Sequence, residues 1–118
     1  MKFGHIEIFV KNPLDAKDFY SDLLGFEIIE IQDNKFVWLK SGDTVILLRP
    51  GNFSASSHIT EYSKSNTGIV IYTDNLEKTS EQLKAKGLEF KGTDGGEKCL
   101  TFTDPDGNWF QLVNPEDH

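Results

Sequence analysis

The chain of 118 residues has a single cysteine, no long apolar run and more acidic than basic residues. One cysteine excludes an internal disulfide and a cysteine-rich zinc site. The opening segment, MKFGHIEIFVKN, holds no apolar stretch long enough for a signal peptide or a membrane span, so we expect a cytoplasmic protein without a membrane partner. The net charge of −7 argues against nucleic acid as a partner, because phosphates would be repelled.

The first part of the chain has the pattern of a strand, a helix and three more strands. The segment GHIEIFV alternates, so one face is apolar and the other carries His5, Glu7 and Phe9. Asn12 is suited to capping the helix that follows, and Pro13 to its first turn. The segment FEIIEIQDNKFVWLKSGDTVILL predicts three strands that are joined by two tight turns.

The same plan repeats from Thr67. The segment TGIVIYTDN matches FGHIEIFVKN in polarity, a second amphipathic helix ends at Gly87, and the segment Gly87–Phe90 resembles the start of the first three-strand run. We therefore predict an α+β fold built from two βαβββ modules, 1–50 and 67–115. The serine-rich connector 51–66 joins them, and residues 1–118 form one domain of this type.

This double pattern, with the segments GHIEIFV, DFYSDLLGFE and FTDPDGNWFQLVNP, resembles the vicinal oxygen chelate superfamily over essentially the whole chain. That superfamily includes the glyoxalase I, bleomycin-resistance and extradiol-dioxygenase families. The resemblance implies that the two modules curl their mixed sheets into a cup with the helices outside. Unpaired strand edges and the resemblance together predict a two-fold homodimer, in which one chain or modules from both chains build each cup.

Catalytic members of the superfamily hold a divalent metal at four positions, on the first and last strands of each module. By the resemblance and the internal repeat, the residues at these positions are His5, Ile46, Gly68 and Gln111. Only His5 and Gln111 have donor side chains, whereas a catalytic metal generally takes about three protein ligands. We therefore expect no cofactor. The alternative is a Zn, Ni, Mn or Fe ion that binds through His5 and Gln111.

Two functions stay open on these grounds. The first is a small-molecule binding protein, similar to the bleomycin-resistance branch that sequesters an antibiotic. The second is a lyase or dioxygenase that uses a divalent metal as a Lewis acid. The missing metal ligands favour the first, and no residue is singled out as catalytic.

The candidate ligand-binding residues lie on predicted strands whose side chains would face the cup: His5, Glu7, Phe9, Trp38, Tyr72, Trp109 and Gln111. Their rings favour a planar aromatic ligand through stacking. The carboxylate of Glu7 and the negative charge of the protein favour a cationic or hydrogen-bond-donating group, and no basic cluster is identified on this lining. The sequence therefore predicts a neutral or cationic aromatic ligand that binds without a metal.

Overall fold

The computed structural model describes residues 1–52 and 59–117; residues 53–58 of the predicted connector and the last residue lie outside the described part. The chain divides into two compact units, Met1–Ser56 and Ser57–His118. Within the described residues, no helix combines the length and the apolar character that crossing a bilayer requires.

The first unit forms one four-stranded sheet and one helical segment. Its elements are β1 (Ile6–Val10), α1 (Pro13–Asp18), a π-helical turn (Phe19–Leu23), β2 (Glu27–Gln32), β3 (Phe36–Ser41) and β4 (Thr44–Pro50). The strand order is β1-β4-β3-β2. The β1–β4 pair is parallel and the other two pairs are antiparallel. The predicted strand, helix and three strands are confirmed in this unit.

Local sequence explains how these elements begin and turn. The side chain of Asn12 accepts a hydrogen bond from the backbone N–H of Leu14, and Pro13 occupies the first helical turn. Asp33 and Asn34 both have positive φ, 55° and 53°, as the tight β2–β3 turn requires. The predicted cap and hairpin are therefore confirmed.

One face of the first sheet packs against the helical segment. α1 contacts β3 and β4, and Ile8 and Val10 of β1 are buried on this side. Tyr20, in the π-helical turn, is fully buried. Because side chains alternate along a strand, Glu7 and Phe9 of β1 lie on the opposite face, which we call the helix-free face.

The second unit is built on a three-stranded sheet. Its elements are a 3-10 turn (Tyr62–Lys64), β5 (Ile69–Tyr72), α2 (Leu76–Ala85), β6 (Cys99–Thr103), β7 (Trp109–Val113) and a 3-10 turn (Pro115–Asp117). The strand order is β5-β7-β6, with β5 parallel and β6 antiparallel to β7. Asn75 caps α2 through a hydrogen bond from the backbone N–H of Lys78, as Asn12 caps α1.

The prediction that a strand of the second module begins at Gly87–Phe90, directly after α2, is wrong. Those residues are outside any strand, and the chain pairs with β6 only slightly later. The backbone N–H of Lys91 donates to Thr101, that of Thr101 donates to Gly92, and Thr93 forms an isolated bridge with Leu100. Gly92 has a φ of 92°, which interrupts regular strand geometry at this point.

The DPDGN turn sets the position of β7. Asp104 is buried, and its carboxylate accepts hydrogen bonds from the backbone N–H groups of Asp106 and Asn108 at 2.9 and 2.8 Å. The stacked rings of Phe102 and Phe110 then fix β6 against β7, with centroids 5.2 Å apart. The turn and the core therefore hold rigidly the strand that carries Trp109 and Gln111.

Candidate functional site

On the helix-free face of the first sheet, three neighbouring strands form a row of side chains. Leu47 of β4 lies between Glu7 of β1 and Trp38 of β3 in the strand register. Two residues further along both strands, Phe9 is paired with Arg49. The predicted residues of the first module therefore share one surface, and Phe9 is 48% exposed there.

Glu7 lies at the centre of a polar cluster on this face. One carboxylate oxygen accepts from a terminal guanidinium nitrogen of Arg49 at 2.9 Å, and the other lies 2.9 Å from Nε2 of His5. Hydrogen bonds from Arg49 first and from His5 second lower the pKa of Glu7 below its ordinary value, against a smaller opposing effect of burial. The carboxylate is therefore ionised at neutral pH and is already engaged.

Aromatic rings border this polar cluster. The rings of His5 and Trp38 meet edge to face with centroids 4.9 Å apart. The guanidinium of Arg49 lies 5.3 Å from the ring centroid of Phe9. The indole N–H of Trp38 donates to the side-chain oxygen of Gln32 at 2.9 Å. This arrangement offers ring surfaces next to one acceptor group and one donor group.

Arg49 was absent from the sequence-based site, which identified no basic cluster on this lining, and it adds one basic group there. The guanidinium makes the ion pair with Glu7, and its Nε is buried without a hydrogen-bond partner among the described residues. Alternation in the segment ILLRP would have placed Arg49 on the same face as Leu47. The choice of Ile46 in the sequence analysis put Arg49 on the opposite face, so this side chain was overlooked.

In the second sheet, Gln111 is 4% exposed, and its side-chain N–H donates to a carboxylate oxygen of Asp94 at 3.0 Å. Asp94 belongs to the loop that leads into β6, and its backbone N–H bonds to Cys99. A buried amide without partners is costly, so this contact explains how an apolar strand accommodates a glutamine. Sequence reasoning missed Asp94, because loop closure across seventeen residues leaves no local signal.

Trp109 lies two residues before Gln111 and is 3% exposed. Its ring meets that of Tyr62 edge to face, with centroids 6.2 Å apart. The tyrosine also lies directly over Gly68, and a Cβ added to Gly68 would overlap the tyrosine hydroxyl. Gly68 therefore accommodates the close approach of Tyr62, which sequence reasoning left within the connector.

Tyr72, the remaining predicted residue, is 70% exposed. It is paired with Val113, whereas extension of the β5–β7 register by one residue places Gly68 beside Trp109. Four residues of strand separate Tyr72 from Gly68, a distance of about 13 Å. Tyr72 is therefore on the same sheet as Trp109 but at the other end of its strand.

The strand register also corrects one of the four metal positions. Glu7 is paired with Leu47 and Val70 is paired with Gln111, so Leu47 rather than Ile46 is the counterpart of Gln111. Leu47, like Ile46, has no donor atom. Among the described residues, no group of three or more His, Cys, Asp or Glu side chains has the arrangement that a metal ion requires. The donor set therefore does not fit the metal that the resemblance implies.

A separate groove of about 580 Å³ lies in the second unit, beside the first turn of α2. It is lined by Asn75, Ser80, Leu100, Asn114 and several charged side chains. Lys98 and Asp117, two of those charged residues, lie 3.6 Å apart. None of the predicted site residues lines this groove.

The fold described above agrees with the comparisons with known proteins. A sequence model of the Glyoxalase/Bleomycin resistance protein/Dioxygenase superfamily matches residues 2–112. The chain belongs to this superfamily. The predicted α+β glyoxalase-like fold class and the resemblance stated from the sequence are both confirmed.

One curated relative is a manganese-dependent 2,3-dihydroxybiphenyl 1,2-dioxygenase from Geobacillus genomosp. 3, which is 30% identical over 94% of this chain. The chain spans only 36% of the length of that enzyme. Proteins of this superfamily thus include one that depends on a divalent metal.

Solved structures give the same fold at lower identity. A lactoylglutathione lyase from Agrobacterium tumefaciens has a TM-score of 0.73 and 15% identity, with 98% of this chain and 94% of that chain covered. An antibiotic-binding protein from Streptomyces has a TM-score of 0.69 and 22% identity, with 98% of both chains covered. The fold therefore serves a lyase as well as a binding protein.

Proposed function

We propose that this chain is a small-molecule binding protein that holds a neutral aromatic ligand on the helix-free face of the first sheet, without a metal. The rings of His5, Phe9 and Trp38 border that face, and about half of the Phe9 surface is exposed to solvent. Glu7 and Arg49 supply an acceptor and a donor beside the rings. Such a surface suits a planar molecule with a polar edge.

The observation that carries this proposal is the donor set at the four positions where metal-dependent relatives would bind their ion. Leu47 and Gly68 have no donor, and the place that a side chain at position 68 would occupy is filled by the hydroxyl of Tyr62. His5 is engaged with Glu7, and the amide nitrogen of Gln111 is engaged with Asp94. The donor side chains at these positions therefore bond to other side chains of the protein rather than to a cation.

The ion pair on the site favours a neutral ligand over a cationic one, the two charges that the sequence left open. Because Glu7 is compensated by Arg49, its carboxylate attracts a cation less than an isolated carboxylate would. Arg49 is engaged in turn, so an anion gains little from it. Both effects favour a ligand of zero net charge that carries hydrogen-bonding groups.

A matched panel of three small bicyclic aromatics tests the charge preference: quinoline, the N-methylquinolinium cation and the 2-naphthoate anion. We expect quinoline to bind more tightly than either ion in titration calorimetry. Replacement of Phe9 by alanine should weaken quinoline binding about fivefold, the size of one aromatic contact. The control is Ile31→Ala, because Ile31 is 44% exposed and is paired with Val37, which faces the helical side. Equal losses in both variants, or a preference for an ion, would reject the proposed site.

A metal-dependent lyase or dioxygenase is the second candidate, and the manganese-dependent relative at 30% identity is the observation that favours it. Elemental analysis of protein purified without a metal-binding tag, together with titrations of nickel, zinc and manganese, separates the two candidates. We expect metal well below one ion per chain. One tightly bound ion per chain that is lost in His5→Ala would replace the binding proposal with the enzymatic one.

A further inference from the structure

The two tryptophans differ in how their indole N–H groups are bonded. The N–H of Trp38 donates to Gln32, as described above. The N–H of Trp109 is buried and has no hydrogen-bond acceptor among the described residues. A buried donor without an acceptor loses its hydration and gains nothing in return, so such groups are rare in folded proteins. The indole N–H of Trp109 is thus a hydrogen-bond donor for which the described residues supply no acceptor.

The residue packed against Trp109 is not part of the sheet. Tyr62 begins a 3-10 turn in which the backbone N–H of Lys64 donates to the carbonyl of Glu61 and that of Ser65 donates to the carbonyl of Tyr62. The hydroxyl of Ser65 donates to the carbonyl of Thr67, just before β5. Displacement of the tyrosine ring by a side-chain rotation would therefore leave every β5–β7 hydrogen bond intact.

The glycine beneath the ring completes this arrangement. Since a side chain at position 68 would overlap Tyr62, movement of the ring would uncover a space over Gly68 bounded by Trp109. That space has the ring of Trp109 as an aromatic wall, and the same side chain carries the indole N–H that has no acceptor among the described residues. An aromatic molecule with an acceptor nitrogen or oxygen matches both features, because it replaces the lost ring contact and accepts from the indole.

We infer that Tyr62 is a displaceable cover over a second aromatic subsite, in which Trp109 donates its indole N–H to an acceptor on the ligand. The inference rests on the proposed function in that the ligand is aromatic, and it adds that the ligand carries an acceptor. In the free protein the tyrosine occupies the subsite itself. The apparent affinity is lowered by the small fraction of molecules in which the cover is displaced.

The indole N–H signals of ¹⁵N-labelled protein test the subsite directly, because the chain has only two tryptophans. The variants Trp38→Phe and Trp109→Phe assign the two signals. Wild-type protein is then titrated with quinoline, which has an acceptor nitrogen, and with naphthalene, which has the same shape without one. We expect quinoline to shift the Trp109 signal downfield and naphthalene to leave its hydrogen bonding unchanged.

Two variants of Tyr62 separate a cover from a structural residue. Tyr62→Ala should tighten quinoline binding about fivefold, because the ligand no longer competes with one edge-to-face contact. It should also speed hydrogen exchange of the Trp109 indole in the absence of ligand. Tyr62→Phe keeps the ring and should resemble the wild type in both measurements. Weaker quinoline binding in Tyr62→Ala, or an unchanged rate of hydrogen exchange at the Trp109 indole, would contradict the inference that Tyr62 is a displaceable cover.

The two signals also separate this inference from the proposed function. A quinoline shift confined to Trp38 would overturn the second subsite and leave the first-sheet site standing. A shift confined to Trp109 would support the subsite and reject the first-sheet site. No response from either indole, in the wild type and in Tyr62→Ala, would reject both. Loss of the preference for quinoline over naphthalene in Trp109→Phe would support the indole as the donor.

Discussion

The two modules pair their first strand with their last in the same parallel way but place their polar residues on opposite members of that pair. In the first module, Glu7 is on the first strand, just after His5, and Leu47 is beside Glu7 on the last strand. In the second, Val70 stands on the first strand and Gln111 on the last. The polar residue of the parallel pair is therefore on the first strand in one module and on the last strand in the other.

This exchange is accompanied by a difference in how each polar group is satisfied. Glu7 is exposed and takes part in an ion pair and a second hydrogen bond that water could replace. Gln111 is buried and depends on one carboxylate from a loop. An exposed polar group tolerates a change of partner, whereas a buried one does not. The two modules should thus respond very differently to equivalent substitutions.

The largest effect is expected from Gln111→Glu. The change places a second carboxylate beside Asp94 in a buried position, and we expect a loss of about 3 kcal/mol in the free energy of unfolding at neutral pH. Burial and the like charge raise the pKa of the new carboxyl, so the loss should shrink as the pH falls and the group is protonated. Urea denaturation at several pH values measures this.

The double variant Gln111→Glu/Asp94→Asn is the matched control, since an amide at position 94 would donate to the new carboxylate. We expect it to recover most of the lost stability. A loss below about 1 kcal/mol for Gln111→Glu alone would mean that water reaches this site. The contrast between an exposed polar group in the first module and a buried one in the second would then disappear.

Next in size is the effect of Gly68→Ala. The added methyl group overlaps the hydroxyl of Tyr62, and we expect a loss of about 1.5 kcal/mol, because the ring must move and give up its edge-to-face contact with Trp109. In the Tyr62→Ala background the same change should cost little. A double-mutant cycle measured by thermal or urea unfolding gives the coupling between the two positions. Additive losses would show that the tyrosine is easily displaced from Gly68 at no cost.

The helix caps should give smaller and similar effects in the two modules. Asn12 and Asn75 each accept a backbone N–H at the start of a helix, at 3.1 and 3.0 Å. Alanine at either position should cost about 1 kcal/mol of stability. Serine, which also caps, serves as the control. A much larger loss for one cap would show that the repeat is only superficial at its helices.

The smallest effect is expected from Glu7→Gln, and its pH dependence is the informative part. Because the pKa of Glu7 is lowered in the folded state, its ion pair stabilises the protein above the ordinary pKa of 4.5. That contribution is lost as the pH falls through the lower folded value. The melting temperatures of wild type and variant should therefore differ slightly at neutral pH and converge in acid. A difference that grows in acid would contradict this assignment.

Most of the backbone follows from local sequence. Alternation in β1, Asn12 and Asn75 as caps, and Asp33-Asn34 as a turn are each encoded within a few residues. The missing strand after α2 shows the limit of this reasoning. The segment resembles its counterpart in the first module, but pairing with β6 begins only at Lys91, just after that segment.

The site was less accessible to sequence reasoning than the fold. Three of the groups that define it, Arg49, Tyr62 and Asp94, contact residues far from them in the chain, namely Glu7, Trp109 and Gln111. Each contact depends on strand register or on the course of a loop, and neither is encoded by residue spacing. Gln111 was recognisable as a buried amide from its apolar neighbours, but its partner was not.

The parallel pairing of first and last strands has a kinetic consequence. In each module the pair that completes the sheet joins positions about 40 residues apart, Ile6 with Ile46 and Val70 with Gln111. Such a pair forms only after a long loop has closed, and loop closure of equal length carries the same entropic barrier in both modules. The hairpins are local and can form early, whereas β1 and β5 must wait. The two halves of the chain should therefore reach their native sheets at comparable rates.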